Sequence, residues 1–196
     1  MDAILKVAGA TWDDVVRVNQ YISREDGIDP MRAGRRGYLP TGKALSTSVR
    51  CQSVHPGCII QVGMEAYFGP RQTFTSPEVW VVPGTVQASR TGDTVYLQGQ
   101  IPYEKQGNMV GRGDIVAQAD RMYYNAGAML EAAGATWDDV VHTRTYCLRR
   151  EDFTPVRQVR AKYLKDGHYA STGLLAKFFT PHSPDMLLEV EFIAVT

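Results

Sequence analysis

The residues best suited to chemistry in this chain lie near its end. In Leu188-Glu189-Val190-Glu191-Phe192 the acids alternate with apolar residues, so on a strand Glu189 and Glu191 share one face while Leu188, Val190 and Phe192 take the other. A carboxylate on a pocket-facing strand can protonate carbon or activate water if burial raises its pKa toward the working pH. The same spacing also suits a solvated or ion-paired acid on an ordinary strand. Arg157 and Arg160 stand three apart on one face of an expected helix and display two guanidinium groups, for which a salt-bridged or solvated face is the plain alternative. Cys147 lies in the β-prone run Thr145-Tyr146-Cys147-Leu148, where a small buried thiol is expected rather than a nucleophile.

Other chemistries find little support. His55, His142, His168 and His182 are scattered singly, and Cys51, Cys58 and Cys147 lack C-x-x-C spacing, so neither a metal site nor a disulfide framework is expected. Gly92, Gly107, Gly111 and Gly113 mark turns and form no phosphate-binding pattern between strand and helix. Lys plus Arg and Asp plus Glu both number 21, which leaves no summed positive field for nucleic acid or an anionic membrane. No basic n-region with an apolar run opens the chain, and no window reaches about 18 uninterrupted apolar residues. A soluble protein of a reducing cytoplasm is the expectation.

The elements that must position these residues are written twice. Ala8-Gly9-Ala10-Thr11-Trp12-Asp13-Asp14-Val15-Val16 recurs letter for letter at Ala133 to Val141, an offset of 125. The same offset pairs Tyr21 with Tyr146, Arg32 with Arg157, Arg35 with Arg160 and Ser46-Thr47 with Ser171-Thr172. The first copy starts at Ile4, the counterpart of Met129, so the strands and most of a helix that lead the second copy have no counterpart ahead of it. A sheet edge left unpaired in this way is expected to dock on the complete copy of the same or a neighbouring subunit. Residues 1–69 read as a truncated repeat, 70–82 as a Pro/Gly/Ser/Thr-rich linker and 83–196 as a complete copy.

Within the complete copy, Thr94 to Gln98 reads as a strand after the turn Thr91-Gly92-Asp93. Ile115, Ala119, Met122, Ala126 and Met129-Leu130 recur at helical spacing, with Asp114 as N-cap and Gly134 as stop. A strand over 140–148, a helix from Asp152 to Leu164 ended by Asp166-Gly167, and strands near 171–179 and 186–195 follow. This order implies an α+β two-layer architecture with both helices on one sheet face, the other face being left for chemistry or a subunit contact.

Gly99-Gln100-Ile101-Pro102, Asp114-Ile115 with Gln118, Leu130 to Ala135, Asp138 to Val141 and Leu188 to Val195 occur in the order seen in YjgF/RidA-like proteins, which this chain resembles from Pro83 to Thr196. The resemblance implies a chorismate-mutase-like fold in tandem copies, a homotrimer with sites between subunits, no cofactor, and hydrolysis of enamines or imines to keto acids and ammonia. Glu189 matches the acid that positions water in that family, and Gly99 and Thr172 also match. The family's carboxylate-binding Arg is replaced by Ala170 and, in the first copy, by Leu45; its Tyr, Ser and Asn align with Thr85, Gln98 and Arg157. Gln61 stands where the first copy would need its acid. Arg157 with Arg160, or else Arg144, are the candidates to replace the lost clamp, and Tyr124 is a candidate to reach the cleft. The expected function is a cofactor-independent enamine/imine hydrolase, or a related water-adding, dehydrating or tautomerising enzyme of a small reactive intermediate. The alternative is a non-catalytic small-molecule-binding or oligomeric scaffold of the same fold.

Overall fold

The computed structural model describes residues 1–39, 44–53, 55–165, 167–177, 179 and 184–196. Two mixed sheets carry the chain. The first holds β1 (Val15–Ile22), β2 (Leu45–Arg50) and β3 (Ile60–Ala66) in the order β2-β1-β3. The second holds β4 (Arg71–Phe74), β5 (Ala88–Thr91), β6 (Thr94–Gln100), β7 (Val140–Cys147), β8 (Ala170–Leu175) and β9 (Leu188–Val195) in the order β4-β5-β6-β9-β7-β8. In both sheets a parallel pair is flanked by an antiparallel strand, and the registers correspond: Asn19 faces Thr47 as Arg144 faces Thr172. Within the stretch expected as linker, β4 pairs with β5 and extends the second sheet to its edge.

The repeated nonapeptide has a local physical reason. Gly9 and Gly134 take positive φ, +72° and +71°, after the preceding helix, a conformation that side chains resist. Thr11 and Thr136 then close identical capping boxes: each backbone N–H donates at 2.7 Å to the acid three residues on, Asp14 or Asp139. Each box holds one tight 3-10 turn, Trp12–Asp14 or Trp137–Asp139, that aims the next strand.

Helix α1 (Asp2–Val7) and α2 (Ile28–Tyr38) belong to the first sheet, and α3 (Ile115–Ala132) and α4 (Phe153–Arg160) to the second. Asp114 caps α3 by accepting from the N–H groups of Val116 and Ala117, as its position before the periodic run predicts. Ala119, Met122, Tyr123, Ala126, Met129 and Leu130 bury against Leu188, Val190, Phe192 and Ala194 of β9 in the main core. Burial of side chains this size contributes about 1.5–3 kcal/mol each. The second helix stops at Arg160, earlier than the Leu164 expected, because the N–H groups of Lys162 and Tyr163 turn to carbonyls three residues back. Gly167 follows at φ +84°; Asp166 and His182 lie outside the described residues.

The faces of the two sheets that carry no helix meet each other. Arg17 of β1 lies over the Tyr96 ring of β6 at 5.4 Å, Tyr21 and Tyr146 hydroxyls are 3.3 Å apart, and Asn19 donates to Glu191. The first sheet therefore docks on the second within one chain. Among the described residues its outer strand β3 pairs with β1 alone.

Candidate functional site

Strand β9 delivers two carboxylates to this contact. The alternation keeps Leu188, Val190 and Phe192 in the core and turns Glu189 and Glu191 toward the first sheet, yet both acids are buried, at 6% and 1% exposure. Their surroundings differ. Glu191 receives the Arg144 guanidinium at 3.0 Å, the Tyr146 hydroxyl at 3.2 Å and the Asn19 amide, so its charge is neutralised and hydrogen-bonded. Burial, and then the Glu191 charge, hold the Tyr146 hydroxyl well above its ordinary pKa, which keeps it a donor. His142, on the same face of β7, is pushed down by burial and by Arg144 and Arg17.

Among the described residues Glu189 has no such compensation. Burial first, and the Glu191 charge second, push its carboxyl well above the ordinary range. Of these two carboxylates two residues apart, one sits in a hydrogen-bonded ion pair and the other is favoured as the neutral acid. Such a split is how one site provides both a fixed charge and a transferable proton.

Against Glu189 lies a break in β6. The pairing of β6 with β9 shifts between Leu97 and Gln100, so Gln98 and Gly99 together oppose one residue of β9. This bulge takes the Gly99 N–H out of the ladder, and it donates instead to Thr47 Oγ1 of β2 at 3.3 Å. A Cβ at position 99 would sit 1.9 Å from Glu189 Oε1 and 3.0 Å from Thr47 Oγ1. Only glycine leaves room for the acid. The Gly99 N–H, the Thr47 hydroxyl and the Glu189 carboxyl therefore converge on one point, contributed by β6, β2 and β9.

From the other side Gly99 and Gln98 line a cleft with Thr85, Trp80, Tyr103 and Asn125. Trp80 and Tyr103 stack at 5.0 Å, and Asn125 of α3 fixes the segment after β6 by donating to the carbonyls of Ile101 and Tyr103. Gln98 Oε1 and Asn125 Oδ1 are buried there without a hydrogen-bond partner among the described residues.

The structure gathers some of the expected site residues and disperses others. Glu189, Gly99, Gln98 and Thr85 lie at or around the bulge. Arg144 shares the face of Glu189 but is held by Glu191. Ala170 and Thr172 sit on edge strand β8, exposed; Thr172 Oγ1 is 3.4 Å from His142 Nε2, two strand spacings or about 10 Å from β9. Arg157 and Arg160 do not join Glu189, because α4 covers the core face of the sheet while Glu189 points from the opposite one. Tyr124 is 48% exposed on the outer side of α3 under Arg121, and its neighbour Tyr123 fills the core. The first copy's Gln61 is exposed on β3. Three participants were given no role in the site from the sequence: Thr47, Tyr146 and Glu191, the last noted there only for sharing a face with Glu189. The repeat carried a signal for each of the first two, since Thr47 and Tyr21 recur as Thr172 and Tyr146.

This α+β arrangement, with helices on one sheet face, is the fold of L-PSP-type proteins. The model of the family described as Endoribonuclease L-PSP matches residues 82–196, and the chain belongs to this YjgF/RidA-like family. A RutC family protein of Pyrococcus abyssi is 32% identical over 108 residues, 55% of this chain and 83% of that relative. A 2-iminobutanoate/2-iminopropanoate deaminase of Dermatophagoides farinae is 33% identical over 79 residues, 40% of this chain and 62% of the relative. Among solved structures, RidA from an Antarctic Psychrobacter superposes with TM-score 0.58 and 26% identity over 64% of this chain and 99% of its own. A chorismatase superposes with TM-score 0.74 over 98% of this chain and 67% of its own; at 18% identity it shows that both sheets follow a known fold.

Proposed function

We propose that this chain is a cofactor-independent hydrolase of enamines or imines, or a closely related water-adding enzyme, acting on a small reactive intermediate with Glu189 as its acid and base. The observation that carries the reading is the buried, uncompensated Glu189 carboxyl against the freed Gly99 N–H. The neutral carboxyl gives its proton to the β-carbon of the enamine, whose C=C electrons form the new C–H bond and leave an iminium. Water adds to the iminium carbon and returns a proton to the Glu189 carboxylate. The carbinolamine then expels ammonia and leaves a carbonyl. Thr47 Oγ1 and the Gly99 N–H stand where a polar group of the substrate can be held.

The relative named as an iminobutanoate deaminase supports this class of chemistry, but the substrate of this chain differs from a 2-imino acid. Leu45 and Ala170 replace the cation that would bind a carboxylate, and Arg144 is committed to Glu191. A reactive intermediate without that carboxylate is therefore the expected substrate. The low exposure of Glu189 favours the scaffold alternative instead, since a substrate must enter past Gly99 or part the sheets. A panel of enamines and imines, with and without a carboxylate, assayed for ammonia release with wild type and Glu189→Gln decides between them. Turnover that falls at least about 100-fold in the variant supports the role of Glu189; equal rates in the two proteins remove it.

A further inference from the structure

A second cluster lies on the other face of the six-stranded sheet, where α4 crosses β7 and β8. Arg157 and Arg160 both line two adjoining clefts there; Thr145, Ser171 and Phe153 line the inner one and Tyr169 the outer. Arg160 donates to Ser171 Oγ at 2.6 Å and lies over the Tyr169 ring at 5.2 Å. Neither arginine forms an ion pair among the described residues, while Lys162, Lys165 and Arg149 close by all do.

The hydroxyls of the inner cleft are equally unspent. Thr145 is 4% exposed, and its Oγ1 has no hydrogen-bond partner among the described residues. Ser171 Oγ accepts from Arg160 and, at 3.3 Å, from Thr143 Oγ1, which leaves its own proton to be directed into the cleft. Two guanidinium groups and two hydroxyls therefore converge with nothing of opposite charge among them.

The first sheet shows what the same framework looks like when it satisfies itself. Arg35 donates to Ser46 Oγ as Arg160 does to Ser171, but the position of Thr145 is occupied by Gln20. The longer amide reaches Ser46 Oγ at 3.0 Å, accepts from Ser48 at 3.2 Å and lies 3.4 Å from Arg35. Exchange of this Gln for Thr removes the internal partner and opens the space beside Arg160. A need for structural support does not explain the exchange, because the filled version already provides it.

We propose that Arg157, Arg160, Ser171 and Thr145 bind a small oxyanion, the carboxylate or phosphate group of a ligand, at a site distinct from that of Glu189. Guanidinium forks match the paired oxygens of either group, and each hydroxyl supplies one more donor. The Phe153 and Tyr169 rings border the same space and receive an apolar body attached to the anion.

Isothermal titration of the whole chain with benzoate, inorganic phosphate and neutral benzamide tests the proposal. Saturable binding of an anion but not of benzamide is expected, and whichever anion binds more tightly identifies the group. R160Q weakens it about tenfold or more, the loss of one charge-assisted contact. T145V keeps the side-chain shape and the melting temperature and still weakens binding severalfold. R35Q removes the same charge at the equivalent place in the first sheet and leaves the affinity unchanged. Absence of saturable anion binding, an unaltered affinity in T145V, or equal losses in R35Q and R160Q overturns the assignment. None of these outcomes depends on turnover by Glu189.

Discussion

Replacing Glu189 by Gln yields a thermodynamic signature that does not require a substrate. Burial and the Glu191 charge raise the Glu189 pKa in the folded chain, whereas in the unfolded chain the group titrates near about 4.3. Between those two values the native state holds one proton more than the unfolded state. Stability is therefore lost as pH rises, at up to about 1.4 kcal/mol per pH unit for a single proton. Below the unfolded value both states are protonated and the stabilisation is fully present; above the folded value the loss is complete. For a chain of 196 residues 1 kcal/mol shifts the melting temperature by about 2–4 °C. The wild type should thus lose roughly 3–6 °C per pH unit relative to E189Q across that window. Melting curves of both proteins at closely spaced pH values, followed by circular dichroism, measure the difference; titrating groups that do not interact with Glu189 are common to both and cancel. A gap that stays constant with pH refutes the neutral acid. A wild type that gains on the variant as pH rises refutes it more sharply, since that is the behaviour of an ionised, favourably paired carboxylate.

Three further outcomes follow from the same geometry. Gly99→Ala drives a methyl group into Glu189 Oε1, so it costs about 1–3 kcal/mol of stability and lowers turnover; denaturant melts of G99A and of G99A/E189A should show the second recovering much of the loss. Arg144→Leu leaves Glu191 buried without its cation and destabilises on the order of 3 kcal/mol, whereas R144L/E191L, with both charges gone, lies closer to wild type in urea titrations. Burial pushes the Cys147 thiol up to about 12, so mass spectrometry after alkylation at mildly alkaline pH finds it unmodified in the folded protein and labelled once the chain is unfolded.

Much of the fold was legible because its signals are local. Asp114, the 3.6-residue periodicity to Leu130 and Gly134 define α3 without reference to anything distant. The nonapeptide repeat was equally visible, and its capping boxes explain why Thr, Asp and Gly stand at fixed places in both copies. The alternation in β9 assigned each acid to its face correctly. Local signals failed where pairing decides the outcome. Arg71–Phe74 is polar enough to suggest a linker, yet it is a strand because β5 offers an open edge to it.

The site was half legible for a related reason. Glu189 and Gly99 belong to one copy and to motifs with a recognisable order. Thr47 reaches them only because the first sheet covers the open face of the second, which no spacing within either copy encodes. The same docking explains part of the missing clamp. Leu45, two residues before Thr47 on the same face of β2, is wholly buried, and a guanidinium there would lose its water without an acid to receive it. Ala170 at the corresponding place on β8 is exposed, so packing does not forbid a cation at that position. Burial thus accounts for the loss in the first copy alone. In the second copy Ala170 coincides with two arginines, without an ion pair among the described residues, on the opposite side of the same strand beside Ser171. If the oxyanion site proposed beside α4 holds, cationic recognition lies across β8 from the acid on β9, and the two faces of the sheet are expected to act on different chemical groups.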